Sequence, residues 1–158
     1  MPDGLLDLST PRQVHIVGVA GAGMSAIALL LARMGHAVSG SDIKDAAVLE
    51  RLAAAGVTVH VGNRAENVPA TADAVVYSTA IPLGNPELAA AEQLGIPVLH
   101  RSAALAALSA IRRTVSVAGS HGKTTTASML ALVLRSAGWA PSFIIGGEVN
   151  EVGTNAAY

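Results

Sequence analysis

The chain has 158 residues, of which 51% are hydrophobic and 13% charged, with a net charge of −1. This composition excludes intrinsic disorder, and near-neutral charge with 3% aromatics argues against a nucleic-acid surface or a base-stacking platform. There is no cysteine, which removes disulfides, zinc–thiolate sites and thiol nucleophiles together and is compatible with a reducing, cytoplasmic location.

The first thirteen residues, MPDGLLDLSTPRQ, have no basic n-region and no apolar h-region, so they read as a short arm and not as a signal peptide. Apolar runs then alternate with helix-like segments. Strands are predicted at Val14–Val17, Ala37–Ser41, Thr58–Val61, Ala74–Ser78 and Pro97–Leu99, and helices at Met24–Met34, Ala46–Ala55, Pro86–Leu94 and Ser102–Leu108. The strands are continuous apolar runs, the pattern of a parallel sheet covered on both faces. Gly35, Gly56 and Gly95 each follow a helix and precede a strand, as C-cap glycines do. The most apolar stretch, Ala26–Ala32, is far short of the roughly 18 to 20 residues that span a bilayer, so no membrane partner is expected. A boundary is placed after residue 110. Beyond it a strand is predicted at Thr114–Ala118, a helix at Thr124–Ala137 and a short strand at Ser142–Ile145 before a Gly146-Gly147 turn. The expectation is therefore α/β: a Rossmann-like domain over residues 1–110, then the strand–loop–helix–strand opening of a truncated second α/β domain over residues 111–158.

Two loops carry the chemistry. The first predicted strand runs into Gly18-Val19-Ala20-Gly21-Ala22-Gly23-Met24-Ser25 and a helix. Small residues at such a junction let backbone amides approach a diphosphate, and the helix N-terminus favours the anion. Asp42, at the end of the second strand, is placed to accept hydrogen bonds from ribose hydroxyls or, alternatively, to cap the next helix. NAD, FAD and a UDP-sugar all offer a diphosphate and a ribose diol, so this fingerprint leaves the nucleotide open. The second loop is Gly119-Ser120-His121-Gly122-Lys123-Thr124-Thr125. Its backbone amides suit a β-phosphate, Lys123 the β- and γ-phosphates, and the Thr124 hydroxyl a Mg²⁺ ion. Only two lysines occur in the chain, Lys44 and Lys123, so this lysine is not background. Val117 stands where the general G-x-x-x-x-G-K-[ST] pattern has its first glycine; the loop here is the shorter G-x-x-G-K-T.

That shorter loop resembles the ATP loop of the Mur ligases. The likeness extends over Gly18–Ser25, Ser39-Gly40-Ser41-Asp42, Ser78-Thr79-Ala80-Ile81, Asn85-Pro86-Glu87 and Ala118–Thr126. This chain departs from the family at Ala20-Gly21, where a Gly-Gly pair is usual, and at Gly62-Asn63, where Gly-His is frequent. The resemblance implies an ATP- and Mg²⁺-dependent ligase of peptidoglycan precursor synthesis. In it the lactyl carboxylate of UDP-N-acetylmuramate is activated by ATP and joined to L-alanine. It implies Lys123 as the catalytic residue, the Gly119–Thr125 loop for ATP and Thr124 for the metal. For the UDP-sugar it implies Gly18, Gly21, Ala22, Gly23, Met24, Ser25, Asp42 and the strand end Ser78, Thr79, Ala80. The family's remaining metal ligand and its amino-acid-binding domain are not represented, so this stretch is expected to bind the UDP-sugar without ligating. An NAD(P)-binding oxidoreductase or sensor and a non-catalytic UDP-sugar module stand as alternatives. His15, His36, His60 and His100 lack metal-ligand spacing and read as structural. His121 reads as shaping its loop or meeting a ligand, and Arg101, Arg112 and Arg113 as solvated boundary charges. Asn150 and Asn155 follow the glycine pair, and the resemblance places Asn155 toward the active cleft.

Overall fold

A computed structural model describes residues 6–149 and 153–158. Five parallel strands form the main sheet: β1 (Gln13–Val17), β2 (Ala37–Asp42), β3 (Thr58–Val61), β4 (Ala74–Tyr77) and β5 (Val98–His100), in the order β3-β2-β1-β4-β5. They alternate with α1 (Ala22–Arg33), α2 (Ala47–Ala54), a short 3-10 turn at Ala65–Asn67, α3 (Pro86–Gln93) and α4 (Arg101–Ala110). The chain winds outward from β1 to β3, then crosses back to β4 on the other side of β1. The switch point therefore lies between β1 and β4, where open α/β sheets take their ligands.

Alternation along β1 sets the two layers. Val14 and Ile16 face α1, α2 and α4, where they pack with Ile27, Leu31, Leu49 and Ala107. His15 and Val17 face the other way, toward α3, whose Leu88 and Ala91 cover Val17 and Val75. All of these residues are buried, so both faces of the sheet are closed to water along β1. The five strands and four helices read from the sequence are all present, with bounds shifted by one or two residues. The arm is anchored: Leu8 is buried in the core, and Arg12 lies 3.5 Å from Asp73 and 3.7 Å from Asp7.

Residues 111–158 depart from the expectation. The predicted strand Thr114–Ala118 is not formed. It has no strand beside it to pair with, Val115 is 74% exposed, and the Thr114 hydroxyl bonds instead to the carbonyls of Ser109 and Arg112. Helix α5 (Lys123–Ser136) follows the second loop as read. The last predicted strand is longer: β6 runs Phe143–Val149 straight through Gly146 and Gly147, which are strand residues and not a turn. It is lengthened by an antiparallel partner that sequence reading missed, β7 (Thr154–Ala157). This hairpin lies on α1, with Ile144 packed against the main core, and α5 covers its other side through Ala131 and Ile145. Among the described residues no helix is long and apolar enough to cross a membrane.

Candidate functional site

The loop between β1 and α1 is built by two devices. Gly18 adopts φ +74°, a conformation that L side chains rarely take, and turns the chain out of the strand. The Gly18 and Val19 N–H groups then both donate to the Ser41 carbonyl, at 2.8 and 2.9 Å, tying the loop to the end of β2. This close approach needs Gly40. A Cβ there would stand 2.8 Å from both the Ile16 carbonyl oxygen and Val19 Cβ. Asp42 completes the loop: its Oδ2 accepts from the Ala20 N–H at 3.0 Å and its Oδ1 from the Lys44 N–H at 3.2 Å. Asp42 does not cap the next helix, since α2 starts at Ala47 behind Ala46 with no side-chain cap; it holds the loop and its own turn, and still lines the cleft.

That cleft has a volume of about 320 Å³ and opens between the β1 loop, the end of β2 and the segment after β4. Of the residues assigned to the UDP-sugar, Gly18, Gly21, Ala22, Gly23, Met24, Asp42, Ser78 and Ala80 line it, whereas Thr79 does not. Ser25 is turned away as well: it is buried, and its hydroxyl donates to the Ala22 carbonyl at 3.1 Å. Met24, although it touches the cleft, is 2% exposed and belongs to the core.

Four lining residues escaped the sequence reading as ligand contacts: Ile43, Asn63, Ile81 and Arg101. Arg101 is exposed, as read, yet it is also the first residue of α4 and leans over the glycine loop, with Nη1 3.0 Å from where a Cβ on Gly23 would sit. His100 holds that helix start, its Nδ1 accepting from the Ser102 N–H at 3.3 Å and meeting the Ser102 hydroxyl at 2.8 Å. Arg101 makes no ion pair among the described residues. A cation with no carboxylate partner, beside a helix N-terminus and exposed loop amides, suits an anionic ligand. The signal was its position directly after a strand, at the carboxyl edge of the sheet.

The second loop stands apart from this cleft and is exposed from Gly119 to Thr125. Gly122 (φ +76°) turns the chain into α5, and Lys123 is the first helical residue. Lys123 Nζ reaches back across the loop to the carbonyls of Gly119 at 2.6 Å and Ser120 at 3.2 Å. His121 Nδ1 lies 3.3 Å from the Ser120 hydroxyl, within its own loop. The loop fits a phosphate: four successive amides at a helix start and an amine that already spans it. For a metal it offers hydroxyl oxygens, Thr124 among them, and no carboxylate; no group of three His, Cys, Asp or Glu capable of holding an ion occurs among the described residues. The hairpin links the two sites. Thr124 Cγ2 lies 3.4 Å from where a Cβ on Gly147 would sit, and Asn155 Nδ2 donates to the Ala22 carbonyl at 2.7 Å. Asn155 thus comes to the start of α1, and Asn150 lies outside the described residues.

Fold and cleft together define a doubly wound α/β protein of the class that takes its ligand at a glycine loop over the switch point. A family described as "Mur ligase family, catalytic domain" matches residues 13–113, and the chain belongs to this Mur ligase family. It is 52% identical over 146 residues to UDP-N-acetylmuramate--L-alanine ligase of Rubrobacter xylanophilus, covering 92% of this chain and 32% of that one. To the enzyme of the same name from Streptomyces avermitilis it is 53% identical over 144 residues, covering 91% and 31%. The chain thus spans about a third of the length of the curated relatives it matches. Among solved structures, UDP-N-acetylmuramate-alanine ligase from Thermotoga maritima superposes with a TM-score of 0.84 at 30% identity, covering 92% of this chain and 34% of that one. UDP-N-acetylmuramate:L-alanyl-gamma-D-glutamyl-meso-diaminopimelate ligase from Neisseria meningitides gives 0.83 at 35% identity, with 93% and 46% covered.

Proposed function

We propose that this chain is the nucleotide-handling part of an ATP-dependent amide ligase that joins L-alanine to the lactyl carboxylate of UDP-N-acetylmuramate. Residues 1–110 form the UDP-sugar domain and 111–158 the start of the ATP-binding domain. The observation that carries this reading is the pairing of two separate anion-binding loops in one chain, one over the switch point and one carrying Lys123. A hydride-transfer enzyme needs only the first. Its likeness to the relatives named above covers both loops and favours a UDP-sugar in the first and ATP in the second.

On this reading the diphosphate lies against Gly21–Gly23 and Arg101, and the nucleoside extends toward Asp42 and Asn63. Lys123 meets the phosphates of ATP and stabilises charge on the transferring phosphoryl group, and Thr124 supplies one Mg²⁺ ligand. The cytoplasm, where ATP is supplied, is the location this implies. Separate titrations with UDP-N-acetylmuramate, NADH and ATP test the assignment. Tight binding of the first with weak or no binding of the second supports it, and the reverse order replaces it with a nicotinamide site.

A further inference from the structure

Three of the segments that line the cleft meet at one buried carboxylate, to which the phosphate chemistry assigns no role. Glu87 sits in the first turn of α3, is 0% exposed and does not line the cleft. The segment leading into α3 carries the lining residues Ser78, Ala80 and Ile81, and Asn85 closes it by accepting the Glu87 N–H at 2.8 Å. The Glu87 side chain reaches the other two segments, the end of β2 and the loop after β3. Its Oε2 accepts the Ser41 hydroxyl at 2.5 Å and lies 3.5 Å from His15 Nε2. Its Oε1 accepts from the Arg64 N–H at 3.1 Å and from Asn67 Nδ2 at 2.6 Å. Burial alone would push Glu87 up, but the contacts from His15, Ser41, Asn67 and the Arg64 N–H hold it below the ordinary glutamate range.

Each partner stands one step from the cleft. Ser41 is fully buried, and its carbonyl takes the Gly18 and Val19 N–H groups that set the glycine loop. The Gly62 N–H donates to the Asp42 carbonyl at 2.7 Å, and Asn67 Nδ2 donates back to the Gly62 carbonyl at 2.8 Å as well as to Glu87. Residues 62–67 thus close on themselves, with the lining residue Asn63 between the two ties. A buried apolar residue at position 87 would cover the sheet without any ion to desolvate. What the carboxylate adds is direction, since it fixes donors from two separate segments at set points.

We propose that Glu87 is a positioning residue of the ligand cleft: it clamps the loop of residues 62–67 to the end of β2 and the start of α3, so that the cleft is assembled before its ligand arrives. This rests on the UDP-sugar reading of the cleft. Glu87 itself never touches the ligand. Without the clamp the loop opens, only the closed fraction binds, and the apparent Kd rises by the inverse of that fraction. The clamp requires the acceptor and not the charge. In Glu87→Gln the carboxamide oxygen keeps the bonds from Arg64 and Asn67, and its NH₂ turns to Ser41, whose hydroxyl oxygen accepts.

The test sets variants that break the clamp against variants that keep it, in the 158-residue chain. Glu87→Leu breaks it from the α3 side, and Asn67→Ala from the loop side, at a half-buried residue that does not line the cleft. Glu87→Gln keeps it. Ala91→Gly, buried on the same helix against Val17 and Val75, lowers stability without touching it. Each is titrated calorimetrically with UDP-N-acetylmuramate, beside thermal melts and hydrogen–deuterium exchange of the free chain. Glu87→Leu and Asn67→Ala should weaken binding at least three-fold, toward the ten-fold that one hydrogen bond is worth, and should speed exchange at the amides of residues 62–67. Glu87→Gln and Ala91→Gly should bind within three-fold of wild type, although Ala91→Gly melts earlier. Should either Glu87 variant not fold, Asn67→Ala against Ala91→Gly decides alone. Asn67→Ala binding within three-fold of wild type, unchanged exchange at residues 62–67, a folded Glu87→Gln as weak as Asn67→Ala, or an equal loss in Ala91→Gly overturns the positioning role while leaving the UDP-sugar reading standing. A wild-type chain that does not bind UDP-N-acetylmuramate overturns both.

Discussion

Asp42 spends two acceptor positions on backbone N–H groups of Ala20 and Lys44, so its carboxylate is oriented by the fold itself. Asp42→Ala should weaken UDP-N-acetylmuramate binding by about 1.5 to 3 kcal/mol, the range for a hydrogen bond to a charged group. Calorimetry checks it; an unchanged Kd with a lower melting temperature would leave Asp42 only its role in holding the loop and its own turn. Glu87 makes a different prediction, in acid. Because its folded-state pKa lies below its ordinary 4.5, its ionisation contributes stability that is present above that value and lost as pH falls through the folded-state value. The stability difference between wild type and Glu87→Gln should therefore shrink progressively below pH 4.5, as followed by denaturant melts from pH 7 to pH 3. Glu87→Ala, which leaves the buried donors Ser41, Asn67 and the Arg64 N–H without their acceptor, should cost about 1 to 3 kcal/mol at neutral pH. At this scale sequence reading succeeded where the chemistry is contiguous: the glycine loop and the Lys123 loop are each a short run whose spacing is the signal. It missed Arg101, Asn63 and the partners of Glu87, because these are brought together by sheet register and by α3, not by neighbouring positions.

Among elements, the β1–α1 loop depends on β2 as much as on its own glycines. Gly40→Ala should lower stability by about 1 to 3 kcal/mol, since the added methyl meets a backbone oxygen that has no freedom to move. Gly84→Ala, where nothing lies within 4 Å of the new Cβ, should stay within about 0.5 kcal/mol. Thermal melts of the two variants side by side decide this, and equal losses would contradict the close-approach argument. The first five strands were legible because a buried parallel strand is a continuous apolar run, and α1, α2 and α3 because each ends beside a glycine, Gly35, Gly56 or Gly95. Thr114–Ala118 carries the same apolar signature yet forms no strand, since a strand needs a neighbour and none is beside it. The reverse holds for β7: TNAA has no strand signature, and it exists because β6 offers it an edge and α1 a surface.

In the whole molecule the two loops are joined by β6, which contacts α1 on one side and α5 on the other. Each loop nevertheless keeps its own residues, so the two ligand sites should be separable. Lys123→Ala should eliminate ATP binding and leave the Kd for UDP-N-acetylmuramate within about two-fold, inside the scatter expected for a distant, independent site. Loss of both affinities together would show that the hairpin couples them. The central claim, that the cleft over the β1–β4 switch point holds a UDP-sugar, is tested most directly by calorimetric titration of the 158-residue chain with UDP-N-acetylmuramate against NADH. One site is predicted for UDP-N-acetylmuramate, lost when Gly23→Val displaces Arg101 and fills the loop; NADH binding as tightly as UDP-N-acetylmuramate, or UDP-N-acetylmuramate binding unaffected by Gly23→Val, would contradict it.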